Sequence, residues 1–146
     1  MKIAILGSRG IPNIYGGFEQ YAEYLSIGLA KLGFEVSVYC SSTHPEKAIT
    51  YHGVKRILCN DPEGRIGTAG QFVYDLNCII DARKRDFDII YQLGYTSNSV
   101  WWWLLPKKSI IVTNMDGLEW KRSKYSSKVR LFLKYAERLA VFHSDH

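Results

Sequence analysis

The sequence predicts an α/β fold, a Rossmann-like parallel sheet with helices on both faces, and three observations support this prediction. Short apolar segments alternate with longer amphipathic segments along the chain, an order that implies parallel strands joined by right-handed crossovers. Segments such as residues 3–6 and 110–112 are apolar throughout, which is typical of strands covered on both faces. A glycine-rich loop directly follows the first strand segment, as in α/β domains that bind phosphate.

The predicted elements follow in order along the chain. The first helix ends at Gly33, since glycine commonly terminates helices. Thr68 and Gln71 form the T-x-x-Q pattern of a capping box at the start of the second helix, and Pro106 ends a short third helix. The predicted strands are 2–6, 35–40, 54–58, 88–93 and 109–113, and the predicted helices are 18–32, 68–80, 97–105 and 127–142.

Apolar stripes predict which faces of the first and last helices are buried. The stripe of the first helix is Phe18, Tyr21, Ala22, Leu25, Leu29 and Leu32. The stripe of the last helix is Val129, Phe132, Leu133, Ala136, Leu139 and Ala140. We expect both stripes to pack against the rest of the domain.

The predicted strand order is 3-2-1-4-5, which makes the first and fourth strands neighbours at a topological switch point. Ligands bind beyond the carboxyl ends of the strands at such a point. The glycine loop, residues 94–98 and residues 114–122 then converge on one crevice. A further strand is expected after the last helix, so we interpret residues 1–146 as one domain of a longer protein whose C-terminal domain is not included.

Composition narrows the function classes. Residues 1–94 carry ten basic and ten acidic residues, whereas residues 95–146 carry nine basic and four acidic ones, so the net charge of +5 lies in the last third. Such a segment suits nucleic acid, an anionic membrane surface or an anionic small ligand, and equally a solvated helix face. No apolar run approaches the roughly 20 residues of a membrane span. Three cysteines without a C-x-x-C pair indicate a cytoplasmic protein.

The glycine loop is the main candidate for phosphate binding. Gly16 and Gly17 would let a ligand approach the free amides of the first helical turn, and Arg9 lies in the same loop. Both common nucleotide motifs are missing, since the dinucleotide fingerprint would need glycine at Arg9 and Pro12, and a P-loop would need Gly-Lys-Ser/Thr. The alternative is a loop that needs positive φ values for structural reasons.

Residues 114–122 form the second candidate site, after the fifth predicted strand. Their sequence is Asn-Met-Asp-Gly-Leu-Glu-Trp-Lys-Arg. A carboxylate such as Asp116, beside Asn114, could act as a base or accept a hydroxyl hydrogen bond. Lys121 and Arg122 could hold an anionic group, and Trp120 offers a face for a sugar ring. The alternative is an Asp-Gly turn within a solvated charge cluster.

Two further features bear on partners. Of the three consecutive tryptophans Trp101–Trp103, we expect at least one to be exposed, facing a partner domain or a membrane interface. Basic residues continue from residue 121 to residue 138, which suits an anionic membrane surface or a lipid diphosphate, or an ordinary polar helix face. The four histidines show no metal-ligand spacing, and we expect no metal site.

Residues 5–19 and 114–122 together resemble the N-terminal half of rhamnosyltransferase-like glycosyltransferases of the GT-B class, family 4 type. The resemblance covers essentially the whole chain. It implies an acceptor-binding first domain, a second domain that holds most of the nucleotide-sugar donor, and retaining chemistry without metal or cofactor. It implies that Gly16 and Gly17, with Arg9, face the donor diphosphate and that Asp116 is catalytic. The acceptor-binding residues implied are Tyr95, Asn98, Asn114, Glu119, Trp120, Lys121 and Arg122.

We therefore expect an acceptor-side domain that cannot turn over alone. The complete bacterial enzyme would transfer a sugar, rhamnose from a dTDP-sugar, to a lipid-linked saccharide at the inner face of the plasma membrane, in cell-surface polysaccharide synthesis. One alternative is a nicotinamide-dependent oxidoreductase, but the second strand ends Tyr39-Cys40-Ser41-Ser42 without the required acid. Another is a non-catalytic module that binds an anionic ligand. Nucleic acid is not the expected partner, and binding to it would weaken steeply with salt.

Overall fold

The computed structural model describes residues 1–115 and 117–146, and these residues form one six-stranded sheet. The strands are β1 (Lys2–Leu6), β2 (Glu35–Ser41), β3 (Thr50–Tyr51), β4 (Val54–Cys59), β5 (Ile89–Leu93) and β6 (Ile110–Asn114). The α-helices are α1 (Gly17–Lys31), α2 (Glu63–Ile66), α3 (Ala69–Arg83) and α4 (Ser127–His143), and the 3-10 segments are Ser99–Leu104 and Glu119–Lys121.

The sheet order is β3-β4-β2-β1-β5-β6. All neighbouring strands are parallel except β3, which runs antiparallel to β4. The predicted order of the five parallel strands is therefore confirmed. Sequence reasoning missed β3, which is joined to β4 by the turn residues His52 and Gly53, both with positive φ. Two consecutive positive φ values are typical of tight hairpin turns.

Helices cover both faces of the sheet, as predicted. Successive residues of β1 point to opposite faces: Ala4 and Leu6 pack in a cluster with Cys78 and Ile79 of α3. Ile5 instead packs in a second cluster that includes residues of α1. The core thus consists of two apolar layers with the sheet between them, which explains why the strands are apolar throughout.

The helix boundaries agree with the prediction better than the helix contacts do. Gly33 adopts φ 89° just after α1, as a terminating glycine should. However, Tyr21 and Leu32 are exposed, as is Val129 in α4, so the predicted stripes are wrong at these three positions. Each lies at the margin of its stripe or near a helix end, where a straight periodic pattern overestimates contact with the core.

The predicted capping box at Thr68 and Gln71 is also wrong. The Thr68 side chain makes no capping hydrogen bond, and the Gln71 amide instead donates to the Glu63 carboxylate at 3.3 Å. The unpredicted helix α2 lies against this end of α3, where a Cβ on Gly70 would clash with the Glu63 backbone. The glycine therefore lets α2 occupy the space around the start of α3.

Within the predicted helix 97–105, the structure has a 3-10 helix, Ser99–Leu104, with a kink at Trp101.

After α4, residues 144–146 lie along the edge of β6. There the amide of Asp145 donates to Ile111 O at 2.8 Å, and the amide of Thr113 donates to His146 O at 2.9 Å. Within the described ranges, no helix combines the length and apolar character needed to cross a membrane.

Candidate functional site

A cleft of about 470 Å³ lies beyond the carboxyl ends of β1 and β5. These two strands are neighbours in the sheet, paired from Ile3↔Ile89 to Leu6↔Gln92, so the cleft occupies the switch point where ligands bind in such folds. The loop after β1 forms one wall, residues 94–98 form another, and the inner side of α4 covers a third. The volume is within the usual range for small-molecule sites.

Two of the four loop glycines are required by chain packing. Gly7 has φ +88°, and a Cβ there would clash with the backbone carbonyl of Leu93. Gly10 has φ +118°, and its Cβ would lie 2.7 Å from the side chain of Cys40. Both positions therefore need glycine to bring the loop close to the neighbouring strands. For these two residues the structural alternative accounts for the sequence.

Gly16 and Gly17 lie at the start of α1, but neither lines the cleft. The buried side chain of Glu19 folds back over this turn, and its Oε1 accepts a hydrogen bond from the Arg9 amide at 2.9 Å. A Cβ on Gly16 would lie 3.6 Å from the other oxygen of Glu19. A protein carboxylate thus faces the helix N-terminus, where negative charge is favoured.

Arg9 does line the cleft. One guanidinium nitrogen, Nη2, lies 2.5 Å from Oε2 of Glu63, and the guanidinium carbon is 5.3 Å from the centre of the Tyr15 ring. The ion pair connects the loop after β1 to α2. Among the described residues that line the cleft, Arg9 is the only cation.

The cleft is acidic although the chain as a whole is basic. Its carboxyl groups belong to Glu19, Asp61, Glu63 and Asp75. Asp61 is held by the Ser41 hydroxyl, which donates to Oδ2 at 2.7 Å, and by the amide of Glu63, which donates to Oδ1 at 3.0 Å. With one paired arginine against four carboxyl groups, the cleft suits ligand hydroxyl groups better than phosphate.

Sequence reasoning missed Asp75, which is buried in the wall that α3 contributes. Burial raises its pKa to about 7, opposed by the hydrogen bond that the Ser97 hydroxyl donates to it and assisted by the charge of Asp61. Asp75 is therefore a carboxyl group able to hold or release a proton near neutral pH. The sequence signal that could have identified Asp75 is its place as an acidic residue directly beside the apolar residues of a predicted helix.

Two buried polar atoms in the cleft lining have no hydrogen-bond partner in the described part of the chain. One is the hydroxyl oxygen of Ser8, and the other is Oδ1 of Asn98. The Asn98 amide nitrogen donates to Gly94 O at 2.9 Å, which fixes the side chain. Since buried polar groups are normally paired, these two atoms are exceptions that lie on residues of the cleft lining.

Tyr95 connects the cleft to the second candidate segment. Its phenol donates to Gly117 O at 3.2 Å and accepts from the Glu119 amide at 3.1 Å, and burial raises its pKa. The Glu119 carboxylate is bonded to Arg122 Nε at 3.0 Å and to the Tyr125 phenol at 3.4 Å. Tyr95 and Tyr125 line the cleft, whereas Glu119 and Arg122 do not.

Trp120 and Lys121 lie outside the cleft, in what we call the basic depression. The ammonium group of Lys134 is 4.3 Å from the centre of the Trp120 ring and that of Lys121 is 5.3 Å away. The Trp120 indole donates to Oε2 of Glu137 at 2.8 Å. The depression, of about 440 Å³, is lined by Trp120, Lys121, Ser127, Arg130, Leu131 and Lys134.

The structure therefore separates the predicted site residues. Arg9, Tyr95 and Asn98 share the cleft, and Trp120 and Lys121 share the basic depression. Asn114 ends β6, where its carbonyl accepts from the Gly94 amide at 2.9 Å and its side chain interacts with the Tyr91 phenol. Asp116, the predicted catalytic residue, lies outside the described residues.

The mostly parallel sheet with a cleft at its switch point defines a Rossmann-like α/β domain. The family model described as a domain of unknown function, DUF1972, matches residues 1–146, and the chain belongs to that family. A comparison with curated proteins found no match. Within residues 1–115 and 117–146, no group of three or more histidine, cysteine or acidic side chains is arranged to hold a metal ion.

Proposed function

We propose that residues 1–146 form the acceptor-side domain of a GT-B glycosyltransferase, which transfers a sugar such as rhamnose from a dTDP-sugar to a saccharide acceptor. The observation that carries the proposal is the cleft at the switch point, where carboxyl and amide groups lie beside aromatic rings. Two buried polar atoms in the same lining, on Ser8 and Asn98, lack partners among the described residues.

The lining has the chemistry that a neutral saccharide needs. Sugar hydroxyl groups donate strong hydrogen bonds to carboxylates, and Asp61, Glu63 and Asp75 offer carboxyl oxygens at the cleft. The apolar face of a sugar ring packs on aromatic side chains. The aromatic residues at the cleft are Phe18, Phe72, Tyr74, Tyr95, Tyr125 and Phe132.

The same lining argues that the donor diphosphate is held mainly elsewhere. Four carboxyl groups would repel it, and Arg9, the one cation among the described residues of the cleft, is already paired with Glu63. This division agrees with the expectation that a second domain binds the donor. The start of α1 at Gly16 and Gly17 lies outside the cleft, and the carboxylate of Glu19 already faces it.

An oxidoreductase receives less support. A nicotinamide dinucleotide needs an acid at the end of the second strand to bind its ribose. In this protein β2 ends at Ser41, which is not an acid. Its hydroxyl donates to Asp61 at 2.7 Å and lies 2.7 Å from the hydroxyl of Thr43. The acidic cleft would also repel a pyrophosphate.

The test compares Asn98→Ala with Asn77→Ala in the full-length enzyme. Both are amides that donate to a backbone carbonyl at 2.9 Å, but Asn77 does not line the cleft. We expect Asn98→Ala to raise the KM for a synthetic saccharide acceptor about tenfold, the effect of one lost hydrogen bond of about 1.4 kcal/mol. The KM for dTDP-rhamnose should not change, and Asn77→Ala should behave as the unmodified enzyme.

A rise confined to the donor KM would overturn the assignment of the cleft to the acceptor. Absence of sugar transfer by the full-length protein, with any dTDP-sugar and acceptor tried, would count against the transferase itself. Acceptor binding can be followed separately by NMR titration with neutral oligosaccharides, so that a wrong donor does not hide a correct cleft.

A further inference from the structure

The side of α4 that faces away from the domain exposes large apolar residues. Leu131, Tyr135 and Phe142 are 71%, 58% and 83% exposed, and their spacings of four and seven residues place them on one helix face. The buried residues Leu133, Ala136 and Ala140 lie on the other side. We call Leu131, Tyr135 and Phe142 the outer apolar stripe.

Cations flank the outer apolar stripe. The exposed side chains of Lys128, Lys134 and Arg138 belong to the outward half of the same helix. The one acidic residue of α4 is Glu137, which is only partly exposed and accepts the indole hydrogen bond of Trp120 at 2.8 Å. The outward half of α4 is therefore apolar and positively charged, with no free carboxylate among its described residues.

Aromatic rings continue from the end of this stripe. The Phe142 ring centre lies 5.1 Å from that of His143. His143 stacks on Trp102 at 3.6 Å with an interplanar angle of 3°, and Trp102 meets Trp103 edge-on at 6.0 Å. Trp103 is 51% exposed, which confirms the expectation that at least one of the three tryptophans faces outward.

This composition distinguishes a membrane surface from a protein partner. Protein interfaces are depleted in lysine at their centres, whereas helices that lie in the membrane interface combine lysine and arginine with exposed leucine and aromatic residues. Tryptophan and tyrosine also favour the interfacial region. We infer that the outer apolar stripe, its flanking cations and Trp103 bind the surface of a membrane that contains anionic lipid.

Membrane binding by α4 does not depend on the proposed function, but it would fix where the cleft lies relative to the membrane. The opposite side of α4 contributes Phe132 and Leu133 to the cleft. A helix lying on the membrane would hold the cleft about 10 Å above the surface, the diameter of one helix. Such a position suits an acceptor saccharide whose lipid anchor stays in the membrane.

The test is flotation of the purified full-length protein with vesicles of phosphatidylcholine alone or mixed with phosphatidylglycerol. We expect flotation with the mixed vesicles and a decrease as salt is raised. Combining Lys128→Gln, Lys134→Gln and Arg138→Gln should lower partition tenfold or more, since each cation near an anionic surface contributes about fivefold. Combining Leu131→Ser and Phe142→Ser should lower partition by about tenfold or more at every salt concentration.

Matched controls lie elsewhere on the surface. Tyr24 and Leu32 are 73% and 75% exposed, so Tyr24→Ser with Leu32→Ser removes comparable apolar surface. Lys31→Gln, Lys55→Gln and Lys84→Gln remove the same total charge at exposed positions. Both controls should float as the unmodified protein does.

Equal flotation of control and α4 variants, or no flotation of the unmodified protein, would overturn the inference. Sedimentation could instead show that the protein self-associates through Leu131 and Phe142 while it does not bind vesicles. In that case the stripe is a protein interface and the inference is wrong. Vesicle binding needs no sugar, so a failed transferase assay leaves this result interpretable.

Discussion

The hydroxyl of Ser97 donates a hydrogen bond to Oδ2 of Asp75, which joins the loop after β5 to α3 at the wall of the cleft. This contact brings a titratable carboxyl group to a place where the sequence predicted only a supporting helix. Burial, the main cause, raises the pKa of Asp75 to about 7. The stability of the domain should therefore depend on pH through this residue.

Asp75→Asn should abolish part of that pH dependence. The folded-state pKa lies above the unfolded value, so the contribution of Asp75 is most favourable below pH 4 and is lost as the pH rises to about 7. Asparagine keeps an acceptor for Ser97 and needs no ionisation. The variant should be more stable than the unmodified protein at pH 8, by up to about 4 kcal/mol at 1.36 kcal/mol per pKa unit, and differ less at pH 4.

Urea unfolding at pH 4, 6 and 8 measures the difference between the two proteins. Taking the difference removes the opposite trend of Asp81, whose pKa is lowered in the fold. A difference that stays constant from pH 4 to pH 8 would show that Asp75 does not titrate in this interval.

More of the fold than of the candidate site could be predicted from the sequence. Strand order follows from apolar segments and crossover rules, which depend on local pattern, and these predictions hold. The carboxyl groups of the cleft arrive from separate elements, since Asp61 follows β4 and Asp75 belongs to α3. No sequence spacing connects these residues, because only the packing of α2 and α3 against the loop after β1 brings them together.

The same reasoning explains why residues 114–122 were predicted as one site. They follow one strand, but the chain turns at the 3-10 segment Glu119–Lys121. As a result Trp120 meets Lys134 of α4, while Tyr95 holds residues 117–119 from the cleft side. Nearness in sequence overestimated nearness in space.

Gly7→Ala should destabilise the protein by about 3 kcal/mol or more. Alanine would be strained at φ +88°, and its Cβ would clash with the Leu93 carbonyl. Gly17→Ala is the matched control, since Gly17 has no heavy atom within 4 Å of an added Cβ and lies in the first turn of α1. Chemical denaturation should show no loss for Gly17→Ala, and a comparable loss at both positions would contradict the packing role of Gly7.

Arg56→Lys should also destabilise the fold, although the charge is kept. The buried guanidinium donates from Nε to Ile11 O at 2.7 Å, from Nη2 to Glu46 O at 2.8 Å and from Nη1 to Ala48 O. An ammonium group cannot reproduce this planar arrangement, and a buried unpaired carbonyl costs about 1–3 kcal/mol.

The exposed neighbour Lys55 provides the comparison for Arg56. Lys55→Arg should change the free energy of unfolding by less than about 0.5 kcal/mol, measured in urea beside Arg56→Lys. If both exchanges proved neutral, the carbonyl contacts of Arg56 would have no role in holding residues 46–48 against the loop at Ile11.

Tyr95→Phe should loosen residues 117–119 without disturbing the sheet. The phenol accepts from the Glu119 amide at 3.1 Å and donates to Gly117 O at 3.2 Å, so its removal leaves these two backbone groups with only the 3.2 Å bond from the Glu119 amide to Gly117 O. We expect a loss of about 1–2 kcal/mol in the free energy of unfolding and faster hydrogen exchange at the Glu119 amide. Amides of β1 and β5 should exchange as in the unmodified protein.

Tyr21→Phe is the control for Tyr95→Phe, because the Tyr21 phenol, 3.0 Å from that of Tyr91, is exposed and contacts no part of residues 117–119. Unchanged exchange at Glu119 in Tyr95→Phe would mean that the segment is held by Arg122 and Tyr125 instead, through the Glu119 carboxylate.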